Sequence, residues 1–360
     1  MTHDSKSAEA LSSLDEIADT AVELASLRQS ADEILTQTWS VDRTRQLLDG
    51  SGTAFDVELW KTVRALGWPD VLVTEANGGA GASLRELCVL AEAAGAVVAP
   101  VPLAATAAAG WCEDRCGDGI VVVLDGEATV KSGRVSGEWP LVAYAGAATR
   151  FLVLGGVDDG ALLGVVDSTA PGVACEAVTP LDHNPAARIT FDAAPITVIA
   201  NGFEAIRRYG ETLTRARLAA VAELVGVASA ANQAAVDYAK VRVAFGRPIG
   251  TFQAVKHRLA DQRTVIEVAR ALVHRAADAC EHDHPDTNPL VSLATFWAID
   301  ALRAVPEGAM QVFGGIGYTW EHDAHVYLRR AATIAAALGP RSQHRAVISD
   351  WLRVRYGAQR

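Results

Sequence analysis

The sequence predicts an α+β, multi-domain fold: an N-terminal all-α domain, a middle antiparallel β domain and a C-terminal four-helix bundle. Three observations carry this reading. The hydrophobic period is helical to about residue 110, changes to short β-rich runs between about 119 and 199, and returns to helical from about 202. Half of the 360 residues are apolar, so a chain of this length needs no disulfide or metal staple to form its core. Small residues spaced along the last region allow its helices to approach closely. The change of texture places a flexible N-terminus at 1–12, the helical domain at 13–110, the β domain at 111–200 and the bundle at 201–360.

In the first region Phe55, Leu59, Val63 and Leu66 recur at the spacing of one helix face. Gly78-Gly79-Ala80-Gly81 breaks that pattern before a second helix through Leu87, Leu90 and Ala94, which Pro100-Val101-Pro102 closes. In the middle, GIVVVLD, ATVKSGRV, LVAYAG, RFLVLGG, ALLGVVD, GVACEAV and ARITFD are separated by Gly, Asp, Ser and Pro. That spacing suits an antiparallel sheet or small barrel, and no G-x-G-x-x-G opens a helix after a strand to support a Rossmann nucleotide site. In the last region one helix carries Leu213, Ala216, Ala220, Leu224, Val227, Ala231, Ala234 and Tyr238 on one face. The next carries Val255, Leu259, Ile266, Ala269, Val273, Ala276 and Cys280, interrupted by polar Gln262. Asn288-Pro289 reads as the N-cap and first-turn proline of a third helix, which Gly314-Gly315 ends. A fourth runs from about Glu321 to Ala337.

Composition excludes several classes of function. With 43 Asp+Glu against 32 Lys+Arg and a net charge of −11, neither nucleic acid nor an anionic membrane is the expected partner. Apolar runs are broken by charges or Gly before the length of a membrane span, and the polar, acidic N-terminus does not read as a secretory signal. Cys88, Cys112, Cys116, Cys175 and Cys280 are scattered. Cys112 and Cys116 share a helix-face spacing but no second ligand pair follows, so no metal site is expected. His282 and His284, in EHDHPD, read as a solvated turn beside Pro285, and Arg341, Arg345, Arg353, Arg355 and Arg360 as a solvated helix face. Scattered free thiols place the protein in the cytoplasm.

Two segments of the bundle are more specific than the rest. One runs Arg242-Val243-Ala244-Phe245-Gly246-Arg247-Pro248-Ile249-Gly250-Thr251-Phe252-Gln253. The other runs Gln311-Val312-Phe313-Gly314-Gly315-Ile316-Gly317-Tyr318. A pyrophosphate is held by a fixed guanidinium and exposed backbone N–H groups, which Arg242 and the Gly314-Gly315 turn offer. Gln311 offers an amide and Phe245 a flat apolar face. The same residue types also suit a plainer role: Arg242 paired with a helix carboxylate, Phe245 packed in the bundle and glycines that only turn the chain. Taken together, and with the α–β–α order, the two segments closely resemble the acyl-CoA dehydrogenase family.

The resemblance implies that Arg242, Phe245, Gln253, Gln311, Gly314 and Gly315 form a clamp on the adenosine-diphosphate half of an FAD whose flavin sits mainly in the neighbouring subunit. It implies an acyl-CoA substrate, loss of its α-proton to a carboxylate and of its β-hydride to the flavin, and an electron acceptor such as an electron-transfer flavoprotein. Carried residue by residue, the usual position of the catalytic Glu falls at Leu338, before Gly339. The alternative position, beside Arg217-Leu218, falls at Ala216. Neither can take a proton. Glu223 stands about two turns from Ala216, roughly 10 Å away, and reads as structural, as does Glu321 near a helix start.

The subunit's own flavin contacts depart as well. VVLDGEA lacks the family's Ser-Asp pair, Leu141-Val142-Ala143 replaces Trp-x-Thr with Trp139 two residues early, and Pro340 and Ser342 stand where Thr and Gln would touch the flavin. Departures fall on the chain's own flavin and base, and retained contacts on the site next door. The pattern resembles the base-lacking subunit of actinobacterial α2β2 heterotetrameric dehydrogenases acting on steroid side-chain thioesters, so a paralogous subunit is the expected partner. Two other readings also fit the sequence: a self-sufficient homo-oligomer with Glu223 or an Asp as base, and a non-catalytic scaffold of the same fold.

Overall fold

The computed structural model describes residues 21–50, 52–115, 117, 119–157 and 160–357; the expected flexible N-terminus, Cys116 and Arg360 lie outside them. Helices come first: α1 at 21–38, α2 Val41–Asp49, α3 Val57–Ala65, α4 Leu84–Ala96 and α5 Leu103–Glu113. Side chains fix their starts. Ser40, Asp56 and Ser83 each accept a backbone N–H at the head of α2, α3 and α4, and Ser83 forms a reciprocal capping box with Glu86. Cys112 is a buried thiol in the last turn of α5.

The strands are β1 Val121–Leu124, β2 Ala128–Lys131, β3 Arg134–Val142, β4 Arg150–Val157, β5 Gly160–Asp167, β6 Val173–Val178, β7 Ala186–Pro195 and β8 Thr197–Asn201. They lie in the order β6-β7-β3-β2-β4-β5-β8, with β1 also paired to β4. The sheet is mixed, which corrects the expectation of a wholly antiparallel one. Val121 pairs with Arg150 and Thr129 with Gly156 in parallel register, while β2–β3, β3–β7, β6–β7, β4–β5 and β5–β8 are antiparallel. The β2–β3 hairpin swings out to meet β7, leaving one edge of β4 for β1, which arrives from α5 in the same direction. LVAYAG is not a strand of its own: β3 takes Leu141 and Val142, and Tyr144 turns the chain with φ +59°.

The bundle contains α6 Gly202–Val241, α7 Gln253–Glu281, α8 Thr287–Trp297, α9 Val305–Phe313, α10 Ala324–Ala337 and α11 Arg341–Tyr356. Three boundaries differ from the expected ones. Asn288 is not the cap of α8, which starts at Thr287 after Asp286; that carboxylate instead accepts bonds from Trp351 and Arg355 of α11. A π-helical turn, Ala298–Leu302, divides the third helix just ahead of Pro306, whose missing N–H cannot continue the ladder. And α10 starts at Ala324, because Gly314–Tyr318 forms a 3-10 turn. His282 and His284 lie in the turn between α7 and α8, bonded to Asp278 O and the Asp286 N–H.

α6 is 40 residues long and is the bundle's axis. By length and composition it could cross a membrane, but most of its apolar stretch is buried in the fold. It crosses α4 with the backbones in contact. A Cβ on Gly95 would lie 2.0 Å from Glu223 O, and one on Gly226 2.0 Å from Glu92 O, so only glycine fits on both helices. Gln262, the polar break in the α7 stripe, is accounted for: Asn232 Nδ2 on α6 donates to its Oε1 at 2.8 Å.

Four histidines are held below their ordinary pKa of 6.5 because burial disfavours the imidazolium: His274, His322, His325 and His344. In the unfolded chain they take up protons near 6.5 that the folded protein refuses, so the unfolded state binds more protons below that value. Stability is therefore complete above about 6.5 and falls as pH descends through and below it. A thermal melt at pH 5.5 is expected at lower Tm than at pH 7.5; equal values would contradict the burial of these rings.

Candidate functional site: two segments at one end of the bundle

α6 ends at Arg242, whose N–H still bonds Tyr238 O at 2.9 Å while its own backbone is extended. A two-residue hairpin follows, β9 Val243–Ala244 against β10 Arg247–Pro248, closed at its base by Ile249 N to Arg242 O at 2.8 Å. Its tip is Phe245-Gly246, with φ +53° and +78°, the two successive left-handed residues of a type I′ turn. The turn needs Gly246, and Gly246→Ala is expected to lower stability by about 1 kcal/mol, read as a shift of the urea midpoint at unchanged slope.

The hairpin throws Phe245 into solvent, where it is 94% exposed. The plainer reading of Phe245 as a packed bundle residue is thereby overturned. So is that of Arg242 as a paired one: its side chain is exposed and makes no ion pair among the described residues. Behind the tip, Phe252 lies edge-on to Phe245 at 6.2 Å and carries the Arg247 guanidinium over its ring at 4.3 Å. Sequence reasoning passed over Phe252 and Arg247, although both stand inside the quoted segment; the available signal was an aromatic directly before Gln253, which opens α7 exposed.

The second segment arrives at the same end. α9 stops at Phe313 because Gly314 takes φ +64°, and a Cβ on Gly314 or Gly315 would meet no atom within 4 Å. Their backbone therefore faces open space. Gly317 is different: its Cβ would lie 2.8 Å from that of Phe313, so the turn folds tightly on α9. Gln311 lies exposed, its Oε1 accepting the Tyr318 hydroxyl at 3.3 Å. One apolar cluster fastens both segments: Ala239 of α6, Leu259 of α7, Met310 and Phe313 of α9 and Ala324 of α10, with Ile249 and Tyr238 packed against it. Arg242, Phe245, Gln253, Gln311, Gly314 and Gly315 thus share one end of the bundle. Val241, Val243, Ile316, Tyr318 and Trp320 stand exposed at the same end.

The two expected base positions lie elsewhere. Ala216 is 26 residues, roughly 39 Å, from Arg242 along α6. Leu338 caps the far end of α10, 4% exposed, with its carbonyl held by His344 Nε2 at 3.0 Å and Gly339 at φ +86° behind it. Glu223 is partly buried and bound to Arg330 Nε at 2.7 Å, and Arg330 also donates to Asp182 at 2.7 Å. Burial drives the Glu223 pKa up, with the Arg330 charge opposing. A carboxylate so engaged is a structural group, not a free base. Asn184 joins the network, donating to Asp182 at 2.8 Å and accepting the N–H of left-handed Tyr144 at 3.2 Å. Glu321 precedes α10 by three residues and so is not a first-turn carboxylate. Trp139 is buried edge-on to Phe191 at 5.1 Å, inside the sheet's core.

Residues 23–117 match the acyl-CoA dehydrogenase N-terminal domain and residues 201–353 its C-terminal domain. The chain belongs to the acyl-CoA dehydrogenase family. Acyl-CoA dehydrogenase FadE34 of Mycobacterium tuberculosis is 36% identical over 313 residues, which are 79% of this chain but only 41% of that protein. Acyl-CoA dehydrogenase IpdE2 of Mycolicibacterium smegmatis is 29% identical over 320 residues, 87% of this chain and 94% of that one. Among solved structures, a variant of the Tcur3481-Tcur3483 steroid ACAD is 31% identical with a TM-score of 0.84, covering 94% of this chain and 99% of its own. The ChsE4-ChsE5 complex from Mycobacterium tuberculosis gives 26% and 0.81, covering 91% and 96%.

An acyl-CoA dehydrogenase oxidises a CH–CH bond, and its cofactor is FAD. The residues gathered at this end of the bundle fit the nucleotide half of that group: a guanidinium with no ion pair among the described residues, an open glycine backbone, an exposed amide bonded only through its oxygen and an exposed aromatic face. At the two expected base positions, Leu338 and Ala216 themselves carry no group that can take a proton.

Proposed function

We propose that this chain is one subunit of a heteromeric FAD-dependent acyl-CoA dehydrogenase that forms a 2,3-enoyl thioester, and that it lends the clamp while a paralogous partner lends the catalytic Glu. The observation that carries the proposal is that the two segments bearing Arg242 and Gly314-Gly315 meet at one end of the bundle, roughly 39 Å along α6 from a base position filled by Ala216. A base acts only within hydrogen-bond reach of its proton, so this chain's clamp and its own empty base positions cannot serve one reacting centre.

When bound, FAD accepts the hydride from the β-carbon. The work of this chain is to hold and to exclude. Arg242 and the Gly314-Gly315 backbone neutralise the pyrophosphate, Gln311 and Gln253 take polar edges, and Phe245 covers a ring and keeps water from it. The exposed apolar residues around the hairpin suit burial against a second subunit. In FadE34 the match takes up 41% of the protein, which leaves room for a second unit of this size in one polypeptide. The steroid ACAD and ChsE4-ChsE5 likenesses favour a bulky, steroid side-chain acyl group and an α2β2 assembly. An electron-transfer flavoprotein is the proposed acceptor, and the buried free thiols Cys88 and Cys112 favour the cytoplasm.

The test is co-expression with paralogous subunits followed by assay with acyl-CoA thioesters. The purified complex is expected to dehydrogenate and the chain alone to be inactive. Turnover by the lone chain would overturn the proposal.

A further inference from the structure

A cavity of about 310 Å³ opens between the last turns of α6, the end of α9 and the start of α10. That volume is within the roughly 300–1,000 Å³ range of small-ligand sites. None of the six clamp residues lines it. Its walls are the rings of Tyr238, Phe313 and Tyr327, with Phe313 edge-on to Tyr238 at 5.2 Å. Glu321, His322 and Asp323 supply the polar groups, and neither lysine nor arginine lines the space.

The polar groups differ in what they already bind. Asp323 is engaged, accepting Arg45 Nε at 2.9 Å. His322 is engaged on one side, where Nδ1 accepts the Ala324 N–H at 3.0 Å, and its ring packs on Phe313 at 4.2 Å. Burial lowers the His322 pKa, so the ring brings no positive charge at neutral pH. The Glu321 carboxylate and the hydroxyls of Tyr238 and Tyr327 have no hydrogen-bond or ion-pair partner among the described residues.

Negative charge, phenolic oxygens and π faces thus converge on a space that no lysine or arginine lines, the Arg45 guanidinium being held on Asp323. An anion would be repelled by Glu321. A neutral apolar guest would leave the carboxylate and both hydroxyls unpaired, at a desolvation cost. A cation is attracted both by the ring faces and by the carboxylate. Among cations, a guanidinium is flat, weakly hydrated and able to stack, and its several N–H donors match several separate acceptors. The geometry points to a binding site for a guanidinium group carried on an apolar stem: the three rings take its face and stem, Glu321 its N–H edge, and the phenolic oxygens the remaining donors. The group can come from an arginine side chain of a protein seated on this end of the bundle or from a free guanidino compound. The inference stands apart from the subunit assignment, because the site is complete within this chain.

Calorimetric titration of the full chain alone with N-acetyl-arginine methylamide tests it, with the neutral citrulline analogue as control. Saturable binding is expected for the arginine compound, at least about tenfold tighter than for the citrulline one. Glu321→Gln should weaken it about tenfold and Tyr327→Phe by a smaller factor. Glu321 is exposed and unpartnered, so its replacement leaves the fold intact, which circular dichroism verifies. Absence of saturable heat, equal binding of the citrulline analogue, or an unchanged isotherm for Glu321→Gln would each overturn the site. Repeating the titration on a co-purified complex separates the sources. Binding lost in the complex supports an arginine of the partner, and binding retained supports a free compound.

Discussion

Replacing Arg330 with alanine lowers the stability of the chain by about 3–5 kcal/mol. The side chain is buried where three parts of the molecule meet: Glu223 on the bundle axis, Asp182 in the turn before β7, and α10 itself. Its guanidinium pKa is raised far above the ordinary value by the two carboxylates and Tyr144, against a large opposing desolvation. Removing it leaves the buried Asp182 and the partly buried Glu223 carboxylates without their cation, the costly half of a broken ion pair. Equilibrium urea unfolding checks this. A loss under 1 kcal/mol would mean that the network is solvated and does not join the sheet to the bundle. Glu223→Gln is the instructive partner, because it keeps a hydrogen bond to Arg330 and removes one of two competing negative charges; it is expected to cost much less.

Arg242→Ala acts in the opposite way, with little effect on stability and a large one on the cofactor. The side chain is exposed and has no ion pair among the described residues, so its removal disturbs no packing there. A charge-assisted bond to a pyrophosphate is worth about 1.5–3 kcal/mol, so the assembled complex is expected to hold FAD roughly 10- to 150-fold more weakly. Equilibrium dialysis of the complex against FAD reads it directly. Unchanged FAD affinity would remove Arg242 from the clamp. The two substitutions together separate the fold from the site: Arg330 governs unfolding and Arg242 governs flavin content.

Much of this was legible in the residues. The switch from a helical to a strand period marks the three regions, because burial on one face imposes its own repeat on the sequence. The end of α9 was legible too, since a glycine-bounded helix end is local chemistry: Gly314 stops the helix where it stands. The Phe245-Gly246 hairpin was not anticipated, although its glycine is the local signal for such a turn. What the sequence did not show were pairings set by distant partners. The parallel contact of β1 with β4 depends on where the β2–β3 hairpin travels. The start of α8 depends on Asp286 being claimed by Trp351 and Arg355, some seventy positions away. The π turn before Pro306 and the Asp182–Arg330–Glu223 network likewise follow from tertiary placement, which no local pattern records.

The central claim is a division of labour, and flavin stoichiometry tests it most directly. The chain and its paralogous partner are co-purified, and FAD is measured by absorbance against total protein, alongside the chain purified alone. The account predicts one FAD for each pair of unlike chains and essentially none on the chain by itself. One FAD retained per chain by the lone protein would contradict it.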